Sequence, residues 1–138
     1  MCSSDLMRSL RFLPLLLSLL IVGCNREGDH YSHRSARQAA ERFYAHLIEG
    51  RYNDYVSARF DADSLPQAYR SQLIDLAAQF VAMQKKTRGG LLSATAMADT
   101  LIETDSSARV RLDLVFADSL KEEISMSLVF RNEKWKMR

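Results

Sequence analysis

Two kinds of hydrophobic pattern follow one another along the chain, first that of helices and then that of strands. Residues 35–49 and 65–86 carry apolar side chains every three or four positions, the periodicity of a helix with one buried face. From Leu91 onward apolar and polar residues alternate, which is typical of strands with one buried face. We therefore predict an α+β fold in which N-terminal helices pack on an antiparallel sheet of about four strands.

The predicted helices carry their own start and stop signals. Ser35 and Ser64 are each followed three residues later by glutamine, the spacing of a capping box that satisfies free backbone N–H groups. Gly50 is expected to end the first long helix, and Gly89-Gly90 the last one, because a residue without a Cβ adopts a left-handed conformation at little cost. Residues 52–60 between the two are expected to form a short helix or an irregular turn.

The strand region ends in a hairpin whose pairing can be predicted from its loop. If Asn132-Glu133 is a two-residue loop, Phe130 pairs with Trp135 and Leu128 with Met137. This alignment places the apolar side chains of both strands on one face. The predicted strands are 91–104, 109–116, 123–130 and 134–137, and the predicted turns are 105–107 and 132–133.

The second and third strands can be aligned in two ways that both keep their apolar residues on one face. One alignment sets Asp113 directly opposite Glu123, and like charges in that position are unfavourable. The other pairs Leu114 with Ile124. We predict the second alignment, which continues the apolar face of the final hairpin.

The residues before the first helix have the pattern of an export signal. Residues 7–23 begin with two arginines and continue into about eleven apolar residues, which reach about 16 Å as a helix and are too short to span a bilayer. The run closes with Ile21-Val22-Gly23-Cys24, which resembles a bacterial lipobox. That resemblance implies cleavage before Cys24 and attachment of palmitate-type acyl chains to it. A cleaved signal with an incidental cysteine, or a short buried helix, is the alternative.

The segments on either side of this signal are interpreted separately. Residues 1–6 resemble translated adapter sequence, so we treat them as a gene-model artefact with Met7 as the start. Residues 24–32 are predicted to form a tether, because residues 25–32 are polar and aperiodic. These eight residues reach at most about 28 Å. The domain, residues 33–138, is therefore expected to lie close to a membrane of the bacterial cell envelope. Asn25 after the cysteine slightly favours the outer membrane, on its periplasmic side.

Composition narrows the chemistry that this domain can perform. Lys and Arg number 19 against 17 Asp and Glu, so the chain lacks the strongly basic balance of a nucleic-acid-binding protein. With Cys2 assigned to the artefact and Cys24 lipidated, no thiol remains for a disulfide, a metal or a nucleophile. His30 and His33 are three residues apart without a third ligand nearby, so we interpret them as solvated tether residues. We predict no cofactor, no metal and no nucleic-acid partner.

Several short motifs follow one another along the chain in a recognisable order. They are the lipobox, Ala40-Glu41-Arg42-Phe43-Tyr44 with Gly50-Arg51-Tyr52, Arg88-Gly89-Gly90, and Lys134-Trp135-Lys136-Met137. This order resembles that of small bacterial lipoproteins of unknown function in the nuclear transport factor 2-like (NTF2-like) superfamily, a cystatin-like fold sometimes described as lumazine-binding-like. The resemblance implies a cone of helices against a curved sheet with a pocket inside, and no established reaction.

The resemblance and the apolar sheet face together indicate candidate site residues. Related cones include ketosteroid isomerase-like enzymes, whose chemistry needs a carboxylate base and an oxyanion partner. Glu122 with Tyr44 or Tyr69 would be the weak candidates for those roles, and we assign no catalytic residue. His46 lies off the apolar stripe of its helix and is expected to be exposed. The residues expected to line a pocket are Tyr44, Tyr69, Leu112, Leu114, Met126, Phe130 and Trp135.

Three functions stay open at this point. The first is a membrane-tethered module that binds a small apolar ligand or an envelope protein, with membrane lipid as its partner through Cys24. The second is an isomerase-like or dehydratase-like enzyme, and the third is a structural envelope protein with a filled core. An enclosed acid with a raised pKa beside a tyrosine would favour the enzyme, and a dry, filled interior would favour the structural protein. A broad apolar patch on the outer face of the sheet would favour a homodimer or a docked partner.

Overall fold

Helices precede a single antiparallel sheet in the computed structural model, which describes residues 29–138. The four strands follow one another in the order β1-β2-β3-β4, so the predicted α+β architecture is confirmed. None of the helices within residues 29–138 is long and apolar enough to cross a bilayer. The elements are α1 (His33–Ile48), α2 (Tyr52–Ser57), α3 (Gln67–Arg88), β1 (Leu91–Ile102), β2 (Ser107–Phe116), β3 (Lys121–Arg131) and β4 (Lys134–Met137).

The N-terminal predictions fall largely outside these residues. The artefact at 1–6, the signal at 7–23 and the lipobox with Cys24 all lie before residue 29. The last part of the predicted tether is described, and it packs on the domain. Tyr31 stacks on Trp135 with ring centroids 5.4 Å apart, and the Trp135 backbone N–H donates to Asp29 Oδ2 over 3.2 Å. Residues 29 and 31 of the predicted tether therefore contact the domain.

α1 starts earlier than its predicted cap. Ser32 is the N-cap, and its side-chain oxygen accepts a hydrogen bond from the Ser35 backbone N–H over 3.2 Å. The predicted start at Ser35 is wrong because the serine three residues before it performs the same capping role. The buried face of α1 lies against β1 and β2 and consists of Ala36, Ala39, Ala40, Phe43 and Leu47.

The core lies between α1 and the inner face of the sheet. Small alanines on α1 allow the helix to approach the sheet closely, while the strands supply the large side chains. The large buried side chains on the inner face of β2, β3 and β4 are Val110, Leu112, Leu114, Phe116, Leu128, Trp135 and Met137. They have the inward parity that the alternating pattern predicts. Ser107 and Val129, which pair with each other, are also buried but have the opposite parity.

The alignment of β2 with β3 differs from the prediction. Asp113 pairs with Glu123, so the predicted pairing of Leu114 with Ile124 is wrong. The Arg111 guanidinium nitrogen Nε lies 3.5 Å from a Glu123 carboxylate oxygen, which offsets part of the repulsion. Both acidic side chains lie on the polar outer face, where water screens such an interaction.

The loop between these strands explains the observed alignment. The Phe116 backbone N–H donates to the Leu120 carbonyl over 3.1 Å and closes a three-residue loop over 117–119. Ser119 has a φ of 69°, the left-handed residue that such a hairpin requires. The predicted alignment would have needed a longer loop. Tight loop closure therefore outweighs one screened like-charge pair.

The final hairpin follows the prediction. Phe130 pairs with Trp135 and Leu128 with Met137, which confirms the alignment derived from a two-residue loop. Both loop residues have positive φ angles, 51° and 59°, as the type I′ turn of a two-residue hairpin requires. The local turn therefore determines which side chains β3 and β4 contribute to the core.

Candidate functional site

An open cleft of about 480 Å³ lies between the three helices and β3. Its floor is the inner face of β3 with the end of β4, and its walls come from α1, α2 and α3. Most of the lining is apolar, and it includes Leu47, Leu73, Phe80, Ile124, Met126 and Met137. A volume of this size falls within the range of small-molecule sites.

The cleft is open because α3 is only lightly packed on the rest of the domain. Ala77 is its single fully buried residue, and Leu76, which lines the cleft, is 58% exposed. Phe80, one turn further along, also lines the cleft and is exposed. The apolar face of α3 therefore lacks a covering layer within residues 29–138, and a bound apolar molecule would bury it.

Two tyrosines bring hydroxyl groups to the apolar cleft. Tyr44 comes from α1 and Tyr55 from α2. Burial raises the pKa of Tyr44, and the nearby Tyr55 and Glu122 raise it further. Burial likewise raises the pKa of Tyr55, partly offset by the positive charge of Arg59. Both hydroxyls therefore stay protonated at physiological pH and can donate hydrogen bonds to a ligand.

Two arginines lie at the β4 end of the cleft, and each is held by a carboxylate. Nε and one terminal nitrogen of Arg59 each lie 2.9 Å from an oxygen of Asp61, and this bond lowers the Asp61 pKa. One terminal nitrogen of Arg138 lies 3.0 Å from Asp105. A guanidinium has five N–H donors, so Arg59 keeps donors beyond the two that Asp61 occupies.

The residues expected to line a pocket are distributed over three parts of the structure. Tyr44 and Met126 line the cleft. Tyr69 is half exposed on α3 and lies outside the cleft lining. The remaining four belong to the packed core beneath α1 or to its aromatic edge: Leu112, Leu114, Phe130 and Trp135.

Glu122, the carboxylate considered as a catalytic base, lies in a surface ion pair. Its carboxylate is 2.9 Å from a terminal nitrogen of Arg88, and its side chain is 53% exposed. Arg88 is itself fixed, because its guanidinium stacks 3.5 Å from the centre of the Phe116 ring. The geometry does not place Glu122 beside a molecule bound in the cleft.

The histidines differ from their sequence interpretation. His33 is the first residue of α1 rather than a tether residue, and its Nδ1 lies 2.5 Å from Asp99. His46 was expected to be exposed but is half buried, and its Nδ1 is buried without a hydrogen-bond partner within residues 29–138. Burial and the neighbouring Arg51 lower the His46 pKa. No group of three metal-ligating side chains was found among the described residues.

Sequence reasoning missed Tyr55, Arg59 and the open face of α3. The apolar residues of α3 recur with a period of 3.6, but this period is the same whether they pack against a core or border an empty cleft. Arg59 follows the short helix α2 and belongs to residues 52–60, for which the sequence left a short helix and an irregular turn both open. Nothing in the local pattern could have shown which of these residues meet at one cavity.

Comparison with known proteins agrees with this architecture. No family model and no curated protein matches the sequence. A solved structure does match, that of a protein from Campylobacter jejuni described as an NTF2-like transpeptidase, with a TM-score of 0.59. The match covers 72% of this chain and 94% of that chain at 16% sequence identity. At this identity the likeness shows the fold alone.

The chain therefore has an NTF2-like fold, in which helices precede a four-stranded antiparallel sheet. Within this fold the cleft lies between the helices and the inner face of the sheet.

Proposed function

We propose that this protein is a ligand-binding module of the bacterial cell envelope, held at a membrane by acylated Cys24. The cleft takes a small molecule with an apolar body, and the uncovered apolar face of α3 is the observation that carries this proposal. Covering exposed apolar surface contributes about 25 cal/mol per Å². A ligand that filled the cleft would gain this contribution from Leu76 and Phe80, which are exposed without it.

The polar groups of the cleft indicate how such a ligand would be oriented. The hydroxyls of Tyr44 and Tyr55 are neutral donors, and Arg59 adds charged donors at one end. A few polar groups in an otherwise apolar pocket fix orientation rather than supply most of the affinity. We therefore expect an amphipathic molecule with an oxygen-bearing end towards α2 and β4. The open volume also favours this function over a structural protein with a filled core.

Fluorescence of 1-anilinonaphthalene-8-sulfonate tests the cleft. We expect Leu76→Gln to weaken binding of this probe at least fivefold, because Leu76 lines the cleft. Leu120→Gln is the matched control, since Leu120 is also 58% exposed but lies in the loop between β2 and β3. Far-UV circular dichroism checks that both variants keep the fold. Equal probe affinity in the two variants would rule out the cleft as the binding site. In a separate experiment, native mass spectrometry of the purified chain would identify any ligand that it carries.

Labelling with palmitate tests the anchor separately. The support for the anchor is the sequence pattern of residues 7–24, an export signal that ends in a lipobox. We expect Cys24→Ala to abolish labelling and to move the protein from the membrane fraction to the soluble fraction. Asn25→Ala, one residue after the lipidated cysteine, is the control and should change neither result. Wild-type protein that takes up no label would end the tethering proposal and leave the cleft proposal intact.

A further inference from the structure

A second concavity, of about 380 Å³, lies at the other side of α1, between α1, α2 and the edge strand β4. Most of the side chains that line it are charged, whereas most of those that line the cleft are apolar. Two carboxylates, Asp29 and Asp54, belong to its lining. His46 lines it as well, and the cationic residues that line it outnumber the carboxylates: Arg42, Arg51, Lys134 and Lys136.

The two arginines are already paired. Arg42 lies 3.2 Å from Asp29, and Arg51 lies 2.6 Å from Glu49 and 3.6 Å from Asp54. These carboxylates hold the guanidinium groups in place without occupying all of their donors. The arginine part of the concavity is therefore ordered and close to neutral.

The two lysines supply the unbalanced positive charge. Neither Lys134 nor Lys136 has a carboxylate within 4.0 Å in the described part of the chain. Lys136 donates to the Ser57 carbonyl over 3.2 Å, which keeps its ammonium group at the concavity. They alternate on β4 with buried Trp135 and Met137, so the strand itself fixes both lysines on one side.

His46 adds a second, independent observation. Its Nδ1 is buried and has no hydrogen-bond partner within residues 29–138. A buried polar atom without a partner is unfavourable, and such atoms are rare unless a ligand or water satisfies them. His46 lines the same concavity as the two lysines, with this atom buried beneath its surface.

We propose that this concavity binds a phosphate group. Guanidinium and ammonium donors that surround one space are suited to a tetrahedral oxyanion, which accepts several charge-assisted hydrogen bonds at once. The group could be carried by a soluble phosphate compound or by a lipid headgroup. Asp29 at the rim is only five residues from Cys24, a reach of at most about 18 Å, so an acylated chain would hold the concavity near headgroups. The lipid source rests on the proposed anchor, whereas the phosphate site does not.

Titration of the full chain with inorganic phosphate at constant ionic strength tests the site. Trp135 is the single tryptophan and lines the concavity, so its fluorescence reports occupancy; the width of the ³¹P resonance provides a second readout. We expect the pair Lys134→Gln and Lys136→Gln to weaken binding at least tenfold. The matched control is the pair Lys85→Gln and Lys86→Gln, which removes the same charge from the exposed end of α3 and should change affinity less than twofold.

Vesicles distinguish the two sources of phosphate. The chain carrying Cys24→Ala is sedimented with vesicles of phosphatidylglycerol or of phosphatidylcholine, so that acylation does not decide the result. Loss of phosphatidylglycerol binding with the β4 lysine pair, but not with the α3 pair, would identify a lipid headgroup. If the β4 lysine pair weakens binding of inorganic phosphate but leaves binding to phosphatidylglycerol vesicles unchanged, the ligand is a soluble phosphate compound. Equal effects of both pairs in both assays, or no saturable binding of either probe, would overturn the proposal.

Discussion

Replacement of Trp135 by alanine should be among the most destabilising single changes in the domain. Trp135 is 1% exposed and heads the fully buried side chains by volume. Its ring stacks on Tyr31 and meets the edge of Phe130 at 5.1 Å, and its Nε1–H donates to Ser35 Oγ over 2.8 Å. One substitution therefore removes a core side chain, two aromatic contacts and a partly buried hydrogen bond.

The expected magnitude follows from these contacts. Truncation of a buried tryptophan to alanine costs about 3–5 kcal/mol, and the two aromatic contacts and the lost hydrogen bond to Ser35 favour the upper half of that range. We therefore expect Trp135→Ala to lower the free energy of unfolding by about 4 kcal/mol. Trp135→Phe keeps most of the ring packing but loses the N–H donor, so about 1–2 kcal/mol is expected.

Guanidinium chloride denaturation followed by far-UV circular dichroism measures both changes, because the tryptophan signal is lost in the variants. Phe60→Ala is the control for removal of an aromatic ring, since Phe60 is 56% exposed and should cost less than about 1 kcal/mol. A loss below about 1 kcal/mol for Trp135→Ala would refute the position of this residue in the core. A loss for Trp135→Phe equal to that for Trp135→Ala would refute the assignment of most of the energy to ring packing.

Two further predictions concern the backbone and acid stability. Gly89→Ala should lower the free energy of unfolding more than Gly50→Ala does. Both glycines have a positive φ, but a Cβ at Gly89 would lie 2.8 Å from the Ala117 Cβ, whereas a Cβ at Gly50 would meet open space. Equal losses of stability in urea denaturation would contradict this prediction. The hydrogen bond from Arg59 lowers the Asp61 pKa below 3.8, so its stabilisation is complete at neutral pH and is lost as pH falls through that lowered value. Asp61→Asn should therefore reduce the acid-side slope of stability against pH, and an unchanged slope would show that the ion pair does not stabilise the fold.

Local patterns in the sequence were sufficient for much of the fold. The change from a period of 3.6 to a period of 2 at Gly89-Gly90 separates the helices from the sheet, as the structure confirms. The pairing of Phe130 with Trp135 was also predictable, because a two-residue loop leaves one alignment that keeps the apolar face continuous. In both cases the deciding interactions lie between residues close in sequence.

The alignment of β2 with β3 was mispredicted although its cause is local, whereas the composition of the cleft was decided by tertiary structure. Loop closure at Ser119 set Asp113 against Glu123, although charge alone favoured the other pairing. The cleft exists because α3 packs mainly on α2, so that its apolar side chains do not reach β3. The repeat of hydrophobic residues along α3 does not specify this placement of the helix. Residues such as Tyr55 and Met126 meet there from distant parts of the chain. Periodicity determines which side of a helix or strand is apolar, and only packing of the whole chain determines what that side faces.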